Sequence, residues 1–322
     1  MSKPSILAMP KVHPLYLQAL NAHYEVHTCD PESEPQWQAL APHIVGLAGG
    51  GESVIPGALL AQLPALKVVS IFGVGYDGVD VATALARGVP VTHTPGVLTD
   101  DVADLALGLV LSVARQIPLA DQHVRQGLWP QGALPLGRKV SGARMGIVGL
   151  GRIGQAIARR GALGFGMKVI YHNRSRLSVE LEAECKARYV SKDHLLAQAD
   201  HLMLVLPYSA ASHHAIGAAE LAQMKPTATL VNIARGGIVD DAALAVALKN
   251  RTIAAAGLDV FEGEPMVHPG LLDVPNVVLT PHIGSATLPT RLAMAGLAAD
   301  NLLAFFSGQP LLTPLNPDPR TP

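Results

Sequence analysis

Short apolar runs alternate along the chain with amphipathic stretches. Ile6-Leu7-Ala8-Met9 reads as a strand, residues 14–22 as a helix, and Tyr24-Glu25-Val26-His27 as a second strand. A helix over 35–40, a strand over 44–47 and a helix over 56–63 opened by Pro56 follow. Val68-Val69-Ser70-Ile71 and Val91-Thr92-His93 are further short strands. This rhythm predicts a parallel sheet with helices on both faces.

Near residue 100 the pattern lengthens. Asp100 or Asp101 is placed to cap a long helix over 104–116, continuing past Pro118 to about Gln126. Such a helix between two βα-repeating regions predicts a spine between domains. Residues 127–141, with Pro130, Gly132, Pro135 and Gly137, read as an irregular extension. Strands then recur at Arg144-Met145-Gly146-Ile147-Val148, Met167-Lys168-Val169-Ile170-Tyr171, His201-Leu202-Met203-Leu204-Val205-Leu206, Thr229-Leu230-Val231-Asn232, Ala254-Ala255-Ala256-Gly257-Leu258 and Val277-Val278-Leu279. A helix over 240–249 has an acidic start and a basic end, as its dipole favours. From Leu288 a helix runs to about Phe306, and the Pro-rich tail is expected to be loosely packed.

Gly149, Gly151 and Gly154 stand at G-x-G-x-x-G spacing between a strand and a helix. There the first glycine permits a tight turn, the second admits a pyrophosphate, and the third lets helix and strand pack closely. The helix N-terminus adds free amides and a positive dipole end. The next strand ends about twenty residues on, where a ribose-reading side chain belongs. That position holds Asn173, followed by Arg174 and Ser175. An acid would bind the ribose hydroxyls of NAD and repel a 2′-phosphate. An uncharged Asn beside a guanidinium and a hydroxyl instead predicts NADP(H) preferred and NAD(H) possible, with Arg176 as a second candidate cation.

A chain of 322 residues exceeds what one core normally serves, which predicts two domains. Hydrophobic residues make up 49% and charged ones 15%, ample for a large core. No run of about 18 apolar residues occurs, so no transmembrane helix is expected. The N-terminal apolar stretch is short for a signal peptide and reads as a strand, and a cytoplasmic location is expected. A net charge of −1 without a basic stripe argues against nucleic acid and anionic membrane as partners. Cys29 and Cys185 give neither a disulfide framework nor ligand spacing.

Three loops after strands of the second region hold polar residues among apolar ones: Asn232-Ile233-Ala234-Arg235-Gly236-Gly237, Asp259-Val260-Phe261-Glu262-Gly263-Glu264-Pro265 and Thr280-Pro281-His282-Ile283-Gly284-Ser285. At the carboxyl end of a nucleotide-binding sheet they suit carbonyl reduction. Arg235 would hold a carboxylate bidentately and His282 would protonate the developing alkoxide. Glu264 would favour the charged imidazole and orient it. Gly73-Val74-Gly75-Tyr76-Asp77-Gly78, after a strand of the first region, could offer amides to a small anion. His213 and His214 read as loop or helix-start residues, and His13, His23, His27, His43 and His123 as surface or packed ones. No histidine cluster has metal-ligand spacing, and no metal is expected.

Together with Thr94-Pro95-Gly96-Val97-Leu98-Thr99-Asp100-Asp101-Val102-Ala103-Asp104, these motifs, spanning residues 73 to about 300, resemble the D-2-hydroxyacid dehydrogenase family, most of all its glyoxylate/hydroxypyruvate reductase branch. The resemblance implies an α/β fold of two Rossmann-like doubly wound parallel-sheet domains. Residues 1–100 and 288–322 would form the substrate domain, with an NAD(P)-binding domain inserted at 101–287. It implies Arg235, Glu264 and His282 as the catalytic set, and Val74 and Gly75 offering amides to the substrate carboxylate. It places Thr99, Gly149, Gly151, Arg152, Ile153, Gly154, Asn173, Arg174, Ser175, Leu206, Pro207, Ile233, Ala234, Asp259, His282 and Gly284 at the cofactor. It also implies a homodimer built on the long helix and its extension, and a small 2-oxo or 2-hydroxy acid as substrate. Asp104 stands where many members have Glu, and is expected to cap or pair rather than react. Reduction of bulkier 2-oxo acids such as aryl-pyruvates, or a dinucleotide-sensing corepressor-like scaffold, are the alternatives.

Overall fold

The computed structural model describes residues 3–28 and 37–315. The chain forms two compact units: one runs to Leu98 and resumes at Thr287, and the other is Thr99–Ala286. Thr99 therefore opens the second unit rather than closing the first. Cys29 and the start of the helix expected over 35–40 lie outside the described residues.

The first unit holds β1 (Ser5–Ala8), β2 (Glu25–Thr28), β3 (Gly46–Gly50), β4 (Val68–Phe72) and β5 (Val91–Thr92). All pair in parallel in the order β2-β1-β3-β4-β5. β3 lies two residues later than the sequence predicts, because Ala41–His43 form a 3₁₀ turn closed by the Ile44 amide. The glycines at the end of β3 conceal how far it runs. Helix Leu288–Phe306 packs on helix Pro14–His23 and on β4, and the buried Ser70 hydroxyl donates to Ala298 O at 2.9 Å.

The described part of the tail is not loose. Fully buried Asn301 accepts from the Leu312 and Thr313 amides (3.1 and 3.0 Å) and donates to the Thr313 hydroxyl (2.8 Å). Leu315 N donates to Val91 O. Proline lacks a donor, but Leu312, Thr313 and Leu315 between the prolines supply three.

The second unit holds β6 (Arg144–Val148), β7 (Lys168–His172), β8 (Ala187–Tyr189), β9 (His201–Leu204), β10 (Thr229–Asn232), β11 (Ala255–Leu258) and β12 (Val277–Leu279). These too are all parallel, in the order β12-β11-β10-β9-β6-β7-β8. The winding direction reverses between β6 and β9. A doubly wound sheet receives its ligands at the carboxyl ends of such a pair.

The long helix is shorter than its pattern predicts. It spans Thr99–Arg115 with Asp100 and Asp101 inside its first turn, and Gln116 at φ 55° breaks it from a second helix, Ile117–Arg125, bent by 59°. Pro118, tolerated only in a first turn, enforces the break. The first helix packs on β10, β11 and helix Arg152–Arg159. A side chain at Gly257 of β11 would come within 3.2 Å of Leu109 Cβ, so that glycine sets the helix–sheet spacing. Among the described residues no single helix is long and apolar enough to cross a membrane.

Candidate active site

The three glycines after β6 differ in their surroundings. Gly149 has φ 100°, and a Cβ there would lie 2.7 Å from the Val205 carbonyl carbon. Only glycine both takes that conformation and lets the turn press against the loop after β9. A Cβ at Gly154 would collide with Gly149 O, so the helix can sit this close to the strand only without one. At Gly151, the N-cap of helix Arg152–Arg159, a Cβ would meet nothing within 4 Å. The open space lies at the exposed middle glycine, in front of the helix N-terminus and at the sheet's reversal point. That is the arrangement a pyrophosphate needs, and these residues fit a dinucleotide.

At the end of β7, Asn173 Oδ1 accepts from Leu150 N at 2.7 Å, tying the residue after the strand to the glycine turn. Arg174 and Ser175 are exposed, and Arg174 has no hydrogen-bond or ion-pair partner among the described residues. Arg176 is different: its guanidinium grips Glu182 bidentately, with both contacts at 2.8 Å. Glu182 also accepts from the buried Tyr171 hydroxyl (2.7 Å), which in turn accepts from Leu177 N (2.9 Å). Arg176 is thus neutralised and is not the second free cation its position suggested.

The Arg176 fork, then the Tyr171 hydroxyl, hold the Glu182 carboxyl down at about 2, against its ordinary 4.5. A depressed carboxylate stabilises the fold above its unfolded value, and that stabilisation is lost as pH falls through the folded one. The Tm gap between wild type and Glu182→Gln is therefore expected to narrow as pH falls from 4.5 toward 2. A gap that stays constant removes the ionised latch.

Arg160 bonds Asp104 at 2.7 Å and Asp100 at 2.9 Å, so Asp104 is an ion-pair residue. Leu206 packs half-buried on the core cluster of this unit, and Pro207 beside it is exposed. Ile233 and Ala234 are buried.

The loops carrying Arg235, Glu264 and His282 follow β10, β11 and β12. A Cβ on Gly236 would overlap Phe261 O, so the loop after β10 lies directly against the one after β11. Half-buried Arg235 donates from Nη1 to Ala234 O at 2.8 Å, and its own carbonyl accepts from Asn232 Nδ2 at 3.1 Å. Glu264 Oε1 accepts from Phe261 N and Oε2 meets His282 Nδ1, each at 2.8 Å. The carboxylate is locked on one side by backbone, and the imidazole is oriented by the other.

His282 itself has φ 51°, uncommon outside glycine, with its amide 3.0 Å from both Asp259 O and Thr280 O. Asp259, 1% exposed, maintains this turn. Its Oδ1 accepts from the Thr280 hydroxyl (2.7 Å) and Ile283 N (2.8 Å), and its Oδ2 accepts from Gly284 N (2.8 Å). Burial raises its pKa, partly opposed by these donors and by nearby His282. All these side-chain bonds go to the loop after β12, which makes Asp259 a brace for the histidine turn. Sequence reasoning passed over two such braces, Gly236 and Phe261 N; the doubled glycine after Arg235 was the available signal. Val74 and Gly75 lie on the loop after β4 in the first unit, where His93 Nδ1 is 3.0 Å from Val74 O. Thr99 is the first residue of its helix.

Known proteins match this arrangement along nearly the whole chain. The family profile described as "D-isomer specific 2-hydroxyacid dehydrogenase, NAD binding domain" matches residues 107–284. The glyoxylate reductase of Thermococcus litoralis is 43% identical over 316 residues, 95% of each chain. The glyoxylate/hydroxypyruvate reductase B of Klebsiella pneumoniae is 42% identical over 321 residues, 98% of this chain and 99% of the relative. The crystal structure of an NADPH-dependent glyoxylate/hydroxypyruvate reductase from Sinorhizobium meliloti, in complex with NADP and malonate, superposes with a TM-score of 0.90 at 42% identity, covering 99% of this chain and 98% of that one. A family profile covering over half the chain, full-length relatives above 40% identity and a shared doubly wound fold agree: the protein belongs to the D-isomer specific 2-hydroxyacid dehydrogenase family.

Proposed function

We propose that this chain is an NADPH-preferring reductase of small 2-oxo acids, glyoxylate and hydroxypyruvate, to D-2-hydroxy acids. The observation that carries the chemistry is the 2.8 Å contact of His282 Nδ1 with a Glu264 carboxylate that backbone already holds. With Nδ1 on the carboxylate, Nε2 is the nitrogen that would give a proton to the alkoxide oxygen. A carboxylate beside the ring favours its charged form, the form that can donate. Arg235 takes the substrate carboxylate with its planar fork, and the same proposal gives that carboxylate the amides of Val74 and Gly75. When bound, the dihydronicotinamide supplies the hydride; the second unit is its proposed binding domain and the first the substrate domain. We include a homodimer and a cytoplasmic location in the same reading.

The NADPH preference rests on exposed, unpartnered Arg174 beside an uncharged Asn173. Removing a charge-assisted contact worth roughly 1.5–3 kcal/mol, Arg174→Ala is expected to raise KM for NADPH about tenfold or more. NADH kinetics should barely change; equal losses with both cofactors would assign Arg174 to the fold instead. The substrate assignment is tested by initial rates with glyoxylate, hydroxypyruvate, pyruvate and phenylpyruvate, each with NADPH and with NADH. Fastest turnover of phenylpyruvate would overturn it.

A further inference from the structure

Beside the loops already described, two adjacent histidines and an acid from 48 residues further on form a compact group. His213, His214 and Glu262 each offer one ligand atom, all within 4.8 Å of one another. His214 Nε2 lies 3.0 Å from Glu262 Oε2, and the two imidazoles stack at 3.9 Å between centroids. Linear spacing conceals the group, because the acid comes from the loop after β11 and the histidines from the loop after β9.

The group is held in place. The Ser212 hydroxyl accepts from Ser209 N at 2.7 Å and lies 3.0 Å from Pro207 O, closing the loop before the histidines. His213 N bonds Ser209 O, and His214 N bonds Gly237 O at 2.7 Å. Glu262 N donates to Asp241 Oδ2 at 3.0 Å. The Tyr208 hydroxyl is 3.1 Å from His213 Nδ1, which leaves Nε2 of that ring for a ligand. Asp240 Oδ2 stands 3.9 Å from His214 Nδ1, opposite the nitrogen that faces Glu262. A hydroxyl on the far nitrogen of a ligating imidazole, as Tyr208 is for His213, is a partner that fixes tautomer and ring orientation at metal sites.

We propose that His213, His214 and Glu262 bind a divalent transition ion of the zinc class. Two imidazoles and one carboxylate suit such an ion better than magnesium or calcium, which take mainly oxygen. Bonds of about 2.0–2.2 Å in a tetrahedron put ligands about 3.4 Å apart, so the stacked rings turn out of parallel as the group closes on an ion. The bound ion joins the loop after β9 to the loop after β11, four residues of which lead from Phe261 to Glu264.

The site is independent of the reductase reading, and its test does not use activity. Untagged protein is titrated with Zn²⁺ by calorimetry and with Co²⁺ by visible absorption, and its Tm is followed with and without Zn²⁺. Wild type should bind one equivalent and gain Tm, since a ligand of the folded state stabilises it. Exposed Glu262→Gln should weaken binding at least about tenfold and lose the Tm gain, and Tyr208→Phe should weaken it by about tenfold. His282→Ala should bind like wild type, separating this group from the Glu264–His282 pair. No saturable equivalent, an affinity unchanged in Glu262→Gln and His214→Ala, or a loss confined to His282→Ala would each overturn the site.

Discussion

His282→Ala is expected to lower turnover by about 10²–10⁴-fold and to leave cofactor affinity nearly intact. A general acid acts only where charge develops, so its loss falls on the chemical step. The substitution leaves Asp259 bonded to the Ile283 and Gly284 amides and to the Thr280 hydroxyl, which keeps the turn intact. Stopped-flow reduction with fluorescence titration of NADPH separates the two effects. Unchanged turnover would remove His282 from the mechanism. Glu264→Gln gives a companion result. Its Oε1 can still accept from Phe261 N, but the ring loses the negative neighbour that favours its charged form. The alkaline limb of the reduction profile, where the acid loses its proton, is expected to move to lower pH. A limb that does not move, or moves upward, contradicts the pairing.

Arg235→Lys is the second large loss. Lysine keeps the charge but replaces a planar fork with a point charge, so a bidentate carboxylate is both weakened and misaligned. The loss is about 1.5–3 kcal/mol, or roughly 10- to 150-fold in kcat/KM, and should exceed the loss in kcat. Arg235 stands on a loop that Gly236 presses against Phe261, so the anchor and the Glu264 loop share one backbone contact. A lysine variant as efficient as wild type would rule out the fork.

Much of this is legible in the chain because parallel strands buried on both faces are short apolar runs, and the polar loops after them stand out. Arg235, Glu264 and His282 are visible for that reason, and the glycine spacing marks the turn after β6. What the sequence hides depends on long-range partners. Arg176 looks like a free cation until the fold brings Glu182 to it. The break at Gln116 is signalled by Pro118, but the left-handed conformation that carries it is not read from Gln116 itself. β8 is three residues long with Arg188 at its centre, too short and too polar to show a strand period. The Pro-rich tail shows no anchor in the sequence because its partner, Asn301, sits beside Asp300 in a mostly apolar helix with nothing local to single it out.

The Asn173 bond to Leu150 N bears on ancestry. An amide and a carboxylate present the same accepting oxygen at the same reach, so Asn173→Asp keeps the loop and adds only charge. That variant is expected to keep its unfolding free energy within about 0.5 kcal/mol of wild type while the NADPH-to-NADH ratio of kcat/KM falls; an unchanged ratio would refute it. Coenzyme preference and foldedness are then separately heritable at this position. A lineage that takes this substitution would shift its dinucleotide ratio without first having to rebuild the glycine turn.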